Sequence, residues 1–377
     1  MNLLNHNLDC LQRSGIRRFT NIAAEIPDCV MLTLGEPDFD TPQIIKDAAI
    51  QALHRNRTHY APNQGVLALR QAIAAFETQR GMTCNEQQVL VTAGATGALF
   101  TALVGILNPG DEVIIPVPAF PLYESIVTIA GGKTVLLPTE KDNFQLTKEA
   151  LAGVITEKTK AIILNSPNNP TGTVLSADSL QTVKESVLGK NIFLICDQVY
   201  QGLSSQELPD LTVDESLQDQ LFLCQSFSKP YAMTGWRVGY LIGPEKIMER
   251  LLLLHAAEVA SIPTFLQDAC ITALSVDVTP MAESYRQRRE YVCRRLTEMG
   301  ISYPEPQGAF YIFAHIAKYG LSSEEFATRL IQEAAVATVP GSCFGCEGYL
   351  RISYCCSQEK LEIGMNRLET FLSKILV

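Results

Sequence analysis

Ala161-Ile162-Ile163-Leu164-Asn165-Ser166-Pro167-Asn168-Asn169-Pro170-Thr171-Gly172 opens as an unbroken apolar run and turns at once into loop chemistry. Continuous rather than alternating hydrophobicity marks a strand buried on both faces, the pattern of a parallel sheet covered by helices. The prolines and the glycine then fix the backbone, and asparagine tolerates unusual φ, so the segment that follows is a loop whatever else it does.

Working outward, similar runs recur from about residue 88 to 243: Val89-Leu90-Val91, Val113-Ile114-Ile115, Ile192-Phe193-Leu194-Ile195, Leu221-Phe222-Leu223 and Val238-Gly239-Tyr240-Leu241-Ile242. Helical patterns separate them, which predicts an α/β domain with a mostly parallel sheet. In such sheets the ligand crevice lies outside the carboxyl ends of the strands. Polar residues follow the runs directly at Thr92-Ala93-Gly94-Ala95-Thr96, Asn165 to Gly172, Asp197, and Ser226 to Lys229, so one crevice can collect them all.

After about residue 244 the pattern changes to long helices, including Pro280 to Met299, then short runs at Phe310-Tyr311-Ile312-Phe313, Val336 to Val339 and Leu350-Arg351-Ile352-Ser353. A last helix is expected from Ser357 to Leu376. These segments predict a smaller α+β domain, joined by the N-terminal residues. The expected division is 46–275 for the large domain, with 1–45 and 276–377 forming the small one.

A chain of 377 residues, 47% hydrophobic, buries a large core and fits two or three domains. Its net charge of −10 offers no basic field to nucleic acid or an anionic membrane, so small molecules or further copies of the chain are the expected partners. Met1-Asn2-Leu3-Leu4-Asn5-His6 has no basic start followed by a long apolar core, and no run is long enough to span a bilayer. Eleven cysteines are odd in number and dilute, which fits reduced thiols and a cytoplasmic protein. Cys343 and Cys346 lie in a Gly-rich loop and Cys355 and Cys356 are adjacent, so their spacing argues against zinc, and the five histidines form no HxxH cluster.

In Ser226-Phe227-Ser228-Lys229-Pro230-Tyr231-Ala232-Met233-Thr234-Gly235-Trp236-Arg237, a lysine lies between two serines with an arginine eight positions on. Such a lysine can form a Schiff base with an aldehyde cofactor, while the hydroxyls and guanidinium hold a phosphate dianion, a combination that fits pyridoxal phosphate. Asp197 ends a buried strand, where its carboxylate needs a cation; a protonated pyridine nitrogen would serve, with a helix N-cap or a local salt bridge as the plain alternative. Asn169 and Tyr200 are candidate donors to the ring's phenolic oxygen, although a tyrosine there equally suits packing. Gly94-Ala95-Thr96-Gly97 joins a strand to a helix, where free N–H groups and a dipole end make a phosphate cup, or where small residues simply allow tight packing. Phe120 sits past another strand end and can stack on a flat ring or belong to the core. Arg351 lies within an apolar strand and calls for an anion: a substrate α-carboxylate or a buried Asp or Glu.

With these residues located, the chain resembles the class I/II aminotransferases of the fold-type I pyridoxal phosphate enzymes, from Leu34-Gly35-Glu36-Pro37-Asp38-Phe39 to Leu350-Arg351-Ile352-Ser353. Ser14-Gly15-Ile16-Arg17-Arg18-Phe19 and Gly308-Ala309-Phe310-Tyr311-Ile312-Phe313 resemble the bacterial branch of aspartate, aromatic and N-acetyl-diaminopimelate aminotransferases. The resemblance implies a seven-stranded sheet sandwiched by helices and Lys229 as the Schiff-base residue. It implies that Asp197 pairs with the pyridine nitrogen, that Asn169 and Tyr200 contact the phenolic oxygen and that Phe120 stacks on the ring. Ala95, Thr96, Ser226, Ser228 and Arg237 would bind phosphate, and Gly35, Asn169 and Arg351 would receive the substrate carboxylate. Tyr60, in His59-Tyr60-Ala61-Pro62-Asn63, matches a tyrosine that reaches the partner subunit's phosphate, which implies a homodimer with shared sites. Ala95 departs from the glycine or serine frequent there, and no motif locates a second substrate-binding arginine, Arg17 and Arg18 being the conceivable ones.

The implied reaction is ping-pong transamination from an L-amino acid to a 2-oxo acid, 2-oxoglutarate by resemblance. The alternative is a carbon–sulfur β-lyase of the same fold, which uses the same lysine to expel a β-substituent.

Overall fold

The computed structural model describes residues 5–11, 14–204 and 206–375. Met1 to Leu4, part of the stretch read above for a leader, and Leu376, the expected end of the last helix, lie outside the described residues.

In chain order the strands are β1 (Val30–Met31), β2 (Val89–Thr92), β3 (Glu112–Val117), β4 (Lys133–Pro138), β5 (Thr159–Asn165), β6 (Phe193–Asp197), β7 (Leu221–Ser226), β8 (Gly239–Ile242), β9 (Tyr311–His315), β10 (Val336–Ala337), β11 (Val339–Pro340) and β12 (Tyr349–Ser353). Seven of them form one sheet in the order β2-β8-β7-β6-β5-β3-β4, parallel except for β8, which runs antiparallel to both neighbours. Alternate residues of the apolar runs feed opposite faces: Ile162 and Leu164 pack in one core cluster, Ala161 and Ile163 in another. That two-sided burial explains why these strands read as unbroken hydrophobic runs. Only β4 escapes the pattern, because it lies at the sheet edge, begins with an exposed lysine and is buried at just one position.

Register places the polar strand ends side by side. Asn165 pairs with Asp197 and Asp197 with Cys224, while Ser226 and Thr92 both face Gly239 across the antiparallel pairs. Helix Gly94–Ile106 starts immediately beyond β2.

A second core cluster joins Phe19, Val30 and Leu32 to residues between Tyr285 and Leu372. It is built on the antiparallel sheet β11-β12-β9, the short parallel pair β1-β10, and helices Thr279–Glu298, Ser323–Ala334 and Gln358–Ile375. Proline at the start of Thr279–Glu298 costs nothing there, since that N–H has no helical partner. The expected Val336 to Val339 run is divided between β10 and β11, which belong to different sheets. Among the described residues no helix is long and apolar enough to cross a membrane.

Candidate active site

A cavity of about 220 Å³ opens where the carboxyl ends of the large sheet meet the second cluster. Gly35, Ala95, Thr96, Phe120, Asn169, Asp197, Tyr200, Ser226, Ser228, Lys229, Arg237 and Arg351 all line it. Tyr60 is the one sequence-predicted site residue outside this wall; its side chain is 92% exposed on the surface of the chain. Arg18 is paired with Glu324 at 2.7 Å, and Arg17 is exposed on the same helix, Gly15–Ala24, so neither lines the cavity.

At one end of the cavity Ser226 Oγ donates to Ser228 Oγ at 2.8 Å and accepts the Ser228 N–H at 3.0 Å, which holds the two hydroxyls as a pair. Arg237 has a left-handed backbone with φ 54°, and its guanidinium donates to Thr234 O at 2.9 Å. A non-glycine residue at positive φ is strained and persists where the surroundings impose it. The N-terminus of helix Gly94–Ile106 faces the same spot, and two glycines make the approach possible. A Cβ on Gly94, φ 71°, would stand 2.7 Å from Arg237 Nη2; one on Gly239 would stand 2.6 Å from Gly94 C and 2.8 Å from Ala95 N. Hydroxyls, guanidinium and free backbone N–H groups therefore converge on one anion-sized place.

At the centre, Lys229 Nζ donates to Gly35 O at 2.5 Å. Burial lowers its pKa to about 8, against smaller opposing effects of Cys355 and Glu36. A neutral amine is thus accessible near physiological pH. Asp197 is 4% exposed, and burial raises its carboxyl to about 6, opposed by the Tyr123 hydroxyl, the Val199 N–H and the charge of Lys229. Tyr123 donates to Asp197 Oδ2 at 2.6 Å. The Asn165 side chain donates to Asp197 O at 3.0 Å and accepts the Asn169 N–H at 2.8 Å, so the strand-end pair positions the loop after β5.

Toward the second cluster, Arg351 is 2% exposed, with Nη1 donating to Asn169 Oδ1 at 3.0 Å and Nη2 to Thr33 O at 2.7 Å. Its guanidinium lies 4.5 Å from the Tyr311 ring centroid and 5.0 Å from that of Phe344. Its Nε has no hydrogen-bond partner. Among the described residues no ion pair to Arg351 is formed, so the buried Asp or Glu considered from sequence is not what it faces. Tyr200 accepts from Asn169 Nδ2 at 3.5 Å and its hydroxyl lies 3.1 Å from that of Tyr311; burial pushes its pKa well above the usual phenol value.

Sequence reasoning passed over Thr33, Tyr123, Asn165 and Tyr311, all on the cavity wall. Asn165 carried a readable signal, since it ends the same strand that delivers Asn169. Tyr311 lay inside a quoted run and Tyr123 three residues after Phe120, but only chain folding reveals which groups their hydroxyls meet.

The family Aminotransferase class I and II matches residues 27–368. The chain is 40% identical to the aspartate aminotransferase of Pyrococcus abyssi, covering 98% of each chain. It is 38% identical to a probable N-acetyl-LL-diaminopimelate aminotransferase of Bacillus subtilis, over 99% of this chain and 96% of that one. Among solved structures, aspartate aminotransferase from Thermus thermophilus with maleate superposes with a TM-score of 0.93 at 33% identity, covering 98% of this chain and 100% of that chain. An aromatic aminotransferase from Pyrococcus horikoshii gives 0.89 at 40% identity, covering 94% and 99%. A cavity that gathers an amine, a carboxylate, an anion cradle and a buried guanidinium, on a fold shared over nearly its full length with these enzymes, places the chain in the class I and II aminotransferases, pyridoxal phosphate enzymes that act on amino and oxo acids.

Proposed function

We propose that the chain transfers an amino group from an aspartate-, aromatic- or N-acetyl-diaminopimelate-like L-amino acid to 2-oxoglutarate, with Lys229 as the residue that bonds the cofactor and moves the proton. The single observation that carries this reading is the Lys229 amine, lowered to about 8, in one cavity with Asp197 and Arg351. The residues present fit pyridoxal phosphate. The Ser226–Ser228 pair, Arg237 and the backbone of Ala95 and Thr96 suit a phosphate, in a cradle that a Cβ at Gly94 or Gly239 would fill. Asp197 suits a ring nitrogen, Asn169 and Tyr200 a phenolic oxygen, and Phe120 a ring face.

When bound, pyridoxal phosphate supplies an aldehyde carbon that takes up the amino group and a ring that withdraws electrons from the substrate. Arg351, assisted by Asn169 and Gly35, binds the substrate α-carboxylate through its planar fork. Lys229 Nζ would take the proton from the substrate Cα and hand it on, a task for an amine whose basicity lies near the working pH. The Asp197 carboxylate would accept a hydrogen bond from the protonated ring nitrogen, and Asn169 and Tyr200 would hold the phenolic oxygen.

We propose further that two copies form a dimer in the cytoplasm, with Tyr60 of each reaching the other's phosphate end, and that residues 46–275 form the cofactor domain and 1–45 with 276–377 the second domain. The exposure of Tyr60 supports the first; the separate core clusters support the second. An amino-donor screen with 2-oxoglutarate, covering aspartate, the aromatic amino acids and N-acetyl-diaminopimelate, tests the reading: glutamate should form with at least one donor. Steady pyruvate release from cystathionine without an acceptor, and no glutamate, would instead identify the lyase.

A further inference from the structure

We infer that Tyr123 is a positioning residue for the reaction: its hydroxyl fixes the Asp197 carboxylate and keeps the negative charge on it, so that the shared proton stays on the ring nitrogen. The inference rests on the reading of Asp197 as the nitrogen's partner.

Tyr123 lies on helix Leu122–Ile129, just beyond the end of β3, and is 1% exposed. Its ring is held edge-on by Phe120 at 5.9 Å, and its hydroxyl donates to Asp197 Oδ2 at 2.6 Å. The phenol is a permanent donor there, because burial first and the Asp197 charge second push its pKa well above the usual value. Among the described residues the remaining oxygen, Oδ1, receives only the Val199 N–H at 3.4 Å. One oxygen of the carboxylate is thus committed to the protein and the other is only weakly held, which orients the group before anything binds.

A carboxylate and a pyridine nitrogen can share one proton in two ways: as carboxylate with pyridinium, or as carboxylic acid with neutral pyridine. Burial favours the uncharged arrangement, since separated charge is costly in a poorly polarisable interior. A donor to the carboxylate favours the charged one, because hydrogen bonding to an ionised oxygen lowers the basicity of that group. After burial, the Tyr123 hydroxyl is the largest influence on the Asp197 carboxyl and favours its charged form, ahead of the Val199 N–H and the charge of Lys229. The ring withdraws electrons well only while its nitrogen carries the proton.

The test is Tyr123→Phe in the full-length holoenzyme, which removes one oxygen and keeps the ring that Phe120 packs against. With pyridoxal phosphate labelled with ¹⁵N at the ring, the bound nitrogen resonance should move from the pyridinium toward the neutral position, and kcat should fall about tenfold to a hundredfold with KM for the amino acid changed less than threefold, the size expected for one charge-assisted hydrogen bond. Asp197→Asn serves as the reference. If Asp197→Asn shifts the nitrogen and Tyr123→Phe leaves both nitrogen and kcat unchanged, the inference is overturned. If Asp197→Asn itself leaves the nitrogen protonated and activity intact, the reading of Asp197 fails first. A Tyr123→Phe protein that only melts earlier, with an unshifted nitrogen, assigns the tyrosine to packing and also overturns the inference.

Discussion

Arg351 carries two hydrogen bonds and two ring contacts at once, all of which depend on a flat guanidinium. Arg351→Lys retains the charge and loses the fork and the stacking; KM for amino and oxo acids should rise about tenfold to a hundredfold, with a smaller change in kcat, in steady-state assays. Lys229→Ala should abolish transamination and the visible absorbance that pyridoxal phosphate acquires on this chain; appreciable turnover in that variant would sink the assignment. Because burial lowers the Lys229 amine to about 8, and only the neutral amine attacks an aldehyde, the cofactor-free protein should capture pyridoxal phosphate faster as pH rises and level off above about 8 in stopped-flow absorbance. Lys229, Asp197, Asn169 and Arg351 were legible because each breaks an apolar run or a turn with a group that costs free energy to bury. Tyr123 and Tyr311 were not, because a buried tyrosine is ordinary in a core and its hydroxyl partner, Asp197 in one case and Tyr200 in the other, comes from 74 and 111 residues away.

At the scale of elements, helix Leu67–Gln79 is tied to β8 by a buried carboxylate. Glu77 is 2% exposed, accepts from Tyr240 Oη at 2.5 Å and has Arg80 at 3.9 Å. Burial raises the Glu77 pKa, against the lowering by Arg80 and the Tyr240 hydroxyl; stability from this group is present at low pH and is lost as pH rises through the folded pKa. Glu77→Gln should therefore gain stability over wild type as pH goes from acid to neutral, followed by urea midpoints at several pH values. Tyr240→Phe leaves the carboxylate without its phenol donor and should lower stability by about 1–3 kcal/mol at neutral pH. Five of the seven large-sheet strands announced themselves by two-sided burial, and β8 did so despite running antiparallel, since its pairing with β2 and β7 buries it just as fully. Strand β4 stayed hidden at the edge, and its place follows only from pairing with β3.

For the whole molecule, the proposed dimer has a direct test. Light scattering should give twice 41.4 kDa. Lys229→Ala and Tyr60→Ala chains, each weak or inactive alone, should regain activity when refolded together, since one of the two sites in a mixed dimer then receives both an intact Lys229 and the partner subunit's Tyr60; no recovery would place Tyr60 elsewhere. The described fold also divides a short stretch of chain between two cores: Cys196, on β6, packs in a core of the large sheet, whereas Val199, Tyr200 and Leu203, only a few residues later, are embedded with Phe310 and Tyr285 in the other cluster. Loosening of the cluster around Phe310 and Tyr285 would therefore pull on the segment next to Asp197 and withdraw Tyr200 from the cavity. A molecule gripped from both sides of that seam loses its grip at the first step, so it couples the two melting events. Scanning calorimetry should show two unfolding transitions for the cofactor-free protein and a single, later one once pyridoxal phosphate is bound, which makes the cofactor the clasp that turns two cores into one cooperative unit.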